Sequence, residues 1–353
     1  MYYLVFFILL WFSFVELFLK RRNSIWSYSV FALMTFMAMF RYGQLTDYFN
    51  YREIYDYPET AGITDPLYFL LTNFFKSLGF DYQVFVMFAS IITMGLSYPF
   101  FFKVCKGSIL ALLVFYSYVF LILPMSAVRQ GICLSMMLYG FVLLLKGKIR
   151  TYYLLILIGV FIHFSMFVCG LIPLLYKKKI FNCNTILWVI FGVTCFSLLS
   201  PDLSTYLPEY LAGKSLGEYG ESKFLQVLIR FLLIIPVVFV RPDYGSKLYY
   251  AKAICIVGYF VYCLLSFIPT AAARLEFYFR IFLCLYVACI VLSKRRFYLS
   301  NLMIGSILAL HVFLFFKNMN AAIKQGEYNE KKVSMFNFPY VSIFDKEELE
   351  LYK

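Results

Sequence analysis

Apolar runs of about 16–20 residues recur along the whole chain, separated by short clusters of charge, and this spacing constrains the fold more than any motif does. A helix rises 1.5 Å per residue, so about 20 residues cover the roughly 30 Å of hydrocarbon in a bilayer. The runs are apolar on every side, which suits helices facing lipid or a bundle core and not the amphipathic helices of a soluble domain. With 63% hydrophobic and only 14% charged residues, the chain is too apolar for a water-facing globule. The sequence therefore predicts an all-α polytopic integral membrane protein of about ten transmembrane helices, built as a single polytopic membrane domain over 1–353.

The expected spans are 2–19, 25–40, 84–102, 108–123, 131–145, 184–200, 224–240, 249–268, 276–293 and 298–316. The first ends in Lys20, Arg21 and Arg22 without a small-residue cleavage site, so it reads as a span and not a signal peptide. The stretch 152–176 is either one tilted span or a re-entrant hairpin of two short arms meeting at His163. Basic residues choose between them. Clusters lie at 20–22, at Lys103 and Lys106, at Lys146, Lys148 and Arg150, at 177–179, at Arg241 and Lys247, and at 294–296. With a hairpin all of them fall on one side, which is then the cytoplasm; a single crossing moves the last three outside. The hairpin is the better reading. It leaves 41–83, the turn 124–130, the loop 201–223 and the tail 317–353 facing outward, with an interfacial helix in 66–79.

The net charge of +13 is the usual Lys/Arg excess of cytoplasmic membrane loops, and no nucleic-acid partner is needed to explain it. Nine cysteines are scattered through apolar runs as small hydrophobes, and with only His163 and His311 a zinc site is not expected. No Asp-x-Asp pair or Gly-rich phosphate loop occurs, so neither a metal nor another cofactor is called for, and a cytosolic nucleotide sugar is a poor donor candidate.

Charge in or beside a membrane is costly and marks candidate sites. Five arginines collect on the outward side: Arg41, Arg129, Arg230, Arg274 and Arg280. Each also has a plain structural reading. Arg280 can pair with Glu276 at i,i+4, Arg230 can snorkel to lipid phosphates, and Arg41 can anchor a helix end. Arg129-Gln130 follows Pro124 and opens a helix, where backbone N–H groups and a guanidinium fork both favour an anion. Guanidinium groups keep their charge when partly desolvated, and a lipid-linked pyrophosphate entering from the outer leaflet fits such a chamber. Rings interleaved with polar groups over Arg41-Tyr42-Gly43-Gln44-Leu45-Thr46-Asp47-Tyr48-Phe49-Asn50-Tyr51 suit either a carbohydrate site or an aromatic belt. His163-Phe164-Ser165 sits at the one break in its apolar stretch, whereas Glu16 reads as a structural partner of Lys20.

Taken in order, these residues resemble the EpsG-like branch of the Wzy polysaccharide polymerases. The resemblance rests on Arg41-Tyr42-Gly43 with Thr46-Asp47-Tyr48 and Tyr51, on Asp65-Pro66-Leu67-Tyr68, on Arg129-Gln130, on His163-Phe164-Ser165, and on Arg274 before Phe277-Tyr278-Phe279. The family more often has Glu at the place of Asp65; Leu45 stands where a small residue is expected, and Gly131 follows the Arg-Gln pair. The resemblance implies a bacterial inner-membrane, metal-independent glycosyltransferase whose active site faces the periplasm. Its partners would be undecaprenyl-pyrophosphate-linked glycans, one as donor and one as acceptor, within membrane lipids; a chain-length regulator is compatible as a further partner. The implied product is an O-antigen, capsular or exopolysaccharide chain. Arg129, Arg274 and Arg280, then Arg41 and Arg230, are the expected pyrophosphate ligands. Asp47 and His163 are the candidates for general base, and Tyr48, Tyr51 and Gln130 for sugar contact. Two other activities share part of this logic: an outer-face ligase that passes a finished glycan to another acceptor, and a flippase or transporter of lipid-linked oligosaccharide.

Overall fold

The computed structural model describes residues 1–19, 24–45, 47–58, 65–175, 183–201, 223–240, 242–292, 298–326, 328–329 and 332–352. The basic clusters at 20–22, 177–179 and 294–296, together with Thr46, Arg241 and nearly all of the 201–223 loop, lie outside these residues. Among the described residues the regular structure is helical, apart from one isolated antiparallel bridge between Arg41 and Ser342. Five helices among the described residues are long and apolar enough to cross a membrane: Tyr2–Leu19, Tyr82–Val104, Val128–Leu145, Lys247–Leu264 and Ile304–Lys324. Shorter apolar helices lie between them, as expected of a multi-pass membrane protein. The chain gathers into two compact units, Met1–Phe167 with His311–Lys353, and Val168–Leu310.

In the first unit, α1 (Tyr2–Leu19) and α2 (Ser24–Phe40) are followed by the short α3 (Tyr48–Asp56) and α4 (Pro66–Ser77). α5 (Tyr82–Pro99) starts on Asp81, whose carboxylate accepts the Val84 N–H at 3.0 Å, and continues as a π-helix over Phe100–Val104. The predicted span 108–123 is not one regular helix. α6 (Ile109–Val114) passes into a π-helix over Phe115–Phe120, and then come α7 (Val128–Leu145) and α8 (Ile149–Ile162).

Polar contacts distinguish the two ends of this unit. At one end the Tyr2 hydroxyl donates to Gln44 Oε1 (2.9 Å), the Tyr48 hydroxyl to Gln83 Oε1 (2.7 Å), and the Asp47 N–H to Ser126 Oγ (3.3 Å). The tail returns to this same end: the Tyr42 N–H donates to Val341 O (3.0 Å) and the Ile343 N–H to Phe40 O (2.9 Å). At the opposite end Glu16, 2% exposed, accepts from Ser108 Oγ (3.1 Å) and from the Leu110 N–H (3.0 Å). Glu16 is thus structural in a way that its spacing to Lys20 does not reveal, satisfying orphan donors at the start of α6. Lys103, Lys106, Lys146, Lys148 and Arg150 lie in or beside the loops of this second end, whereas Asp47, Glu53, Asp56, Asp65 and Asp81 lie at the first.

The second unit contains the helices Cys183–Leu199, Lys223–Phe239, Lys247–Leu264, Pro269–Arg280 and Leu283–Leu292. The predicted span 276–293 begins earlier, at Pro269, and is interrupted at 281–282. Lys252, 7% exposed, donates to Val238 O (2.6 Å) and Val240 O (2.7 Å), so an ammonium satisfies carbonyls at the end of the neighbouring helix. The last long helix runs over Tyr298–Gln325, well past the predicted end at 316, and leads back into the first unit.

Candidate functional site: a His–Asp–Arg cluster and an arginine pair

The cluster in the first unit is assembled by three helix ends. α4 opens with Pro66 at its first turn, which leaves Asp65 just ahead of it with a side chain 6% exposed. α7 opens at Val128 after the turn that follows Pro124, and so places Arg129 in its first turn. α8 ends at Ile162 with His163 in an extended conformation, and a 3₁₀ stretch over Phe164–Leu171 follows. The break expected at His163 is present. Arg129 Nη1 donates to Asp65 Oδ2 at 2.6 Å, and His163 Nδ1 lies 3.3 Å from the same oxygen. Arg129 Nε also reaches the Tyr51 hydroxyl at 3.3 Å, and its guanidinium carbon lies over the rings of Tyr51 (5.1 Å) and Tyr68 (5.5 Å).

Burial by itself would raise the Asp65 carboxyl. The hydrogen bond from His163 and the charge of Arg129 outweigh it and hold that carboxyl below the usual carboxylate range. Asp65 is therefore an anion bridging a cation and an imidazole. Arg129 and His163 remain 24% and 20% exposed, so both can meet a ligand that Asp65 itself cannot.

The other outward candidates of this unit are placed differently. Arg41, 1% exposed, donates to Ala38 O and, at 3.2 Å, to Ser90 Oγ; it ties the end of α2 to α5 instead of standing at a lipid boundary. Tyr48 is 3% exposed, with its hydroxyl given to Gln83, and Gln130 is buried in α7. Asp47 is half-buried at the start of α3. Leu45, where the resemblance favours a small residue, has φ 65°, the left-handed region that a side chain disfavours.

In the second unit Arg230 Nε donates to Glu276 Oε2 at 2.6 Å, and Arg280 Nη2 lies 3.3 Å from that same oxygen. The i,i+4 pair of Glu276 and Arg280 is present, while Arg230 is drawn inward to Glu276 and not outward to lipid. Its guanidinium carbon stacks 3.7 Å above the Tyr262 ring, whose hydroxyl donates to Gln226 Oε1 at 3.1 Å. Two cations thus converge on one carboxylate in a buried setting. Arg274 is exposed and lies about 200° around the helix from Glu276 at 100° per residue.

Sequence reasoning gave no role to Asp65, and it foresaw Glu276 only as the i,i+4 partner of Arg280, not as the acid that also draws in Arg230. Asp65 stands in a quoted motif, Asp65-Pro66-Leu67-Tyr68, and an acid before a helix-opening proline beside a possible basic partner was the available signal.

A family model described as the EpsG family matches residues 24–342. No curated protein and no solved structure matches the chain.

Proposed function

Because the chain belongs to the EpsG family, whose membership carries a membrane polysaccharide-polymerase-like function, we propose that it joins lipid-linked oligosaccharide repeat units into a polysaccharide. Donor and acceptor are undecaprenyl-pyrophosphate-linked glycans in the inner membrane, and transfer occurs on the periplasmic face. A sugar hydroxyl of the acceptor attacks the anomeric carbon of the donor, and pyrophosphate leaves. Outward arginines stabilise the charge that develops on it, with Arg129, Arg230, Arg274 and Arg280 as the candidates. Guanidinium suits this task because its fork can hold two phosphate oxygens at once.

The observation that carries the outward-facing reading is the position of the His163–Asp65–Arg129 cluster, at the end of the first unit opposite the basic loops. Lys103, Lys106, Lys146, Lys148 and Arg150 mark the cytoplasmic end by their charge. Chain parity supports the same assignment. The tail packs against Phe40 and Tyr42, at the end opposite Lys148, so an odd number of crossings must separate 150 from the tail. The second unit and the final helix supply five by the predicted spans, which leaves 152–176 an even number, as a re-entrant hairpin requires. α8 at 14 residues is about 21 Å long, enough to bring His163 past the midplane towards Asp65.

The deciding experiment mixes purified, reconstituted protein with undecaprenyl-pyrophosphate-linked repeat units and follows product length. A ladder of polymers still on the lipid carrier is expected. Transfer of single units to a different acceptor would instead mark a ligase, and movement across the bilayer without bond formation a transporter.

A further inference from the structure

We infer that Asp65 is a positioning residue that fixes His163 in the tautomer whose Nε2 lone pair takes the proton of the attacking sugar hydroxyl, a role that rests on the glycosyl-transfer reading above. An ionised carboxylate can only accept hydrogen bonds. Asp65 receives Arg129 Nη1 at 2.6 Å and the backbone N–H of Phe164, so two donors besides the imidazole favour its charged form. The 3.3 Å contact with His163 Nδ1 is then a hydrogen bond only when Nδ1 carries the proton. In neutral imidazole that leaves the lone pair on Nε2. Exposure divides the labour: the histidine side chain is 20% exposed and the aspartate 6%, so the ring can touch a substrate while the carboxylate behind it cannot. Asp47, the other candidate base, gives its backbone N–H to Ser126 Oγ.

The step balances without a co-reactant. The acceptor oxygen forms its bond to the anomeric carbon as the bond from that carbon to the pyrophosphate oxygen breaks, and the electron pair leaves on the pyrophosphate. The hydroxyl proton passes to His163 Nε2. The imidazolium donates through Nδ1–H to Asp65, which offsets the new charge, and later returns its proton to solvent.

Two histidines in the chain make this directly measurable. Magic-angle-spinning NMR of the full-length protein, labelled with ¹⁵N-histidine in lipid, reports which ring nitrogen is protonated, and the spectrum of His163→Gln assigns the remaining signals to His311. At neutral pH, His163 is expected as the Nδ1–H tautomer, changing to Nε2–H in Asp65→Asn. Polymerisation by Asp65→Asn and by His163→Gln should each fall about 100-fold or more, with the double variant no slower than the slower single one. A wild-type His163 found as Nε2–H, or unchanged by Asp65→Asn, overturns the assignment, and the wild-type spectrum decides even if the variant does not fold. Absence of polymer from the wild type with the expected tautomer present would instead refute the glycosyl-transfer reading and leave the pair standing.

Discussion

Asp65 carries a cation, an imidazole and a backbone N–H on one carboxylate, so its charge bears on stability as well as chemistry. Its carboxyl is lowered relative to the unfolded chain, where a value near 4 applies. The stabilisation it provides is therefore complete above about pH 4 and is lost as the pH falls through its lower folded value. The gap in melting temperature between wild type and Asp65→Asn should accordingly be widest near neutral pH and close towards pH 3; a gap independent of pH would mean that the carboxylate charge is not what Asp65 contributes. The arginines are tested by conservative replacement. Lys keeps the charge of Arg129 or Arg280 but loses the planar fork, which should cost on the order of 2–4 kcal/mol in the transition state, a hundredfold or more in rate. A boundary anchor would tolerate the change, because Lys snorkels as well as Arg. Polymer made at wild-type rate by Arg129→Lys, Arg274→Lys and Arg280→Lys, each present in membranes, would remove the arginines from the site. At this scale the cationic candidates were legible from charge inside apolar runs, and so was the i,i+4 pairing of Glu276 with Arg280, but the role of Asp65 was not. Asp65 meets residues 64 and 98 positions away, a convergence that no local pattern encodes.

Elements were legible as lengths and poorly legible as boundaries. Hydropathy detects how much apolar chain there is, and it therefore found the stretches 108–123 and 276–293. It does not register where backbone hydrogen bonding changes, so it missed the π-helix over Phe115–Phe120 and the interruption at 281–282. The overrun of the last helix to Gln325 has the same origin, since a helix need not stop where its residues become polar. Close packing between elements is equally silent in hydropathy and is carried by glycines. A Cβ on Gly258 would overlap Phe279 Cβ, an atom fixed by the neighbouring helix backbone that cannot swing aside. Gly258→Val should therefore push the 247–264 and 269–280 helices apart and disturb Glu276 on the second. Gly192, with nothing within 4 Å of an added Cβ, is the control and should accept Ala. Thermal unfolding in detergent checks both: Gly258→Val is expected to lower stability by about 1–3 kcal/mol, as overpacking does, and Gly192→Ala to leave it within about 0.5 kcal/mol. Equal stability of the two variants would show that this contact does not set the helix spacing.

For the whole molecule the open quantity is the number of crossings, and it can be settled at three exposed positions. Lys148 lies in the loop after α7, Asp243 in the turn between the 223–239 and 247–264 helices, and Lys346 in the tail beside the Tyr42 ring. By the excess of Lys and Arg in cytoplasmic loops, Lys148 is predicted to be cytoplasmic. The tail is tied to Phe40 and Tyr42, at the opposite end of the first unit, so Lys346 is predicted to lie on the side opposite Lys148 whatever happens between. Asp243 discriminates. If 152–176 enters and leaves on the same face, the spans 184–200 and 224–240 return the chain to the cytoplasm, and Asp243 shares the side of Lys148. If 152–176 crosses once, Asp243 moves outside, and an even number of crossings must then lead from it to the tail, whereas the three predicted spans after it make an odd one. Single cysteines at the three positions, treated in intact cells with a membrane-impermeant thiol reagent, give the answer against the unsubstituted protein as background. Labelling is expected at 346 and not at 148 or 243. Labelling at 243 without 148 would eliminate the hairpin, and one of the later apolar stretches would then have to fail to span.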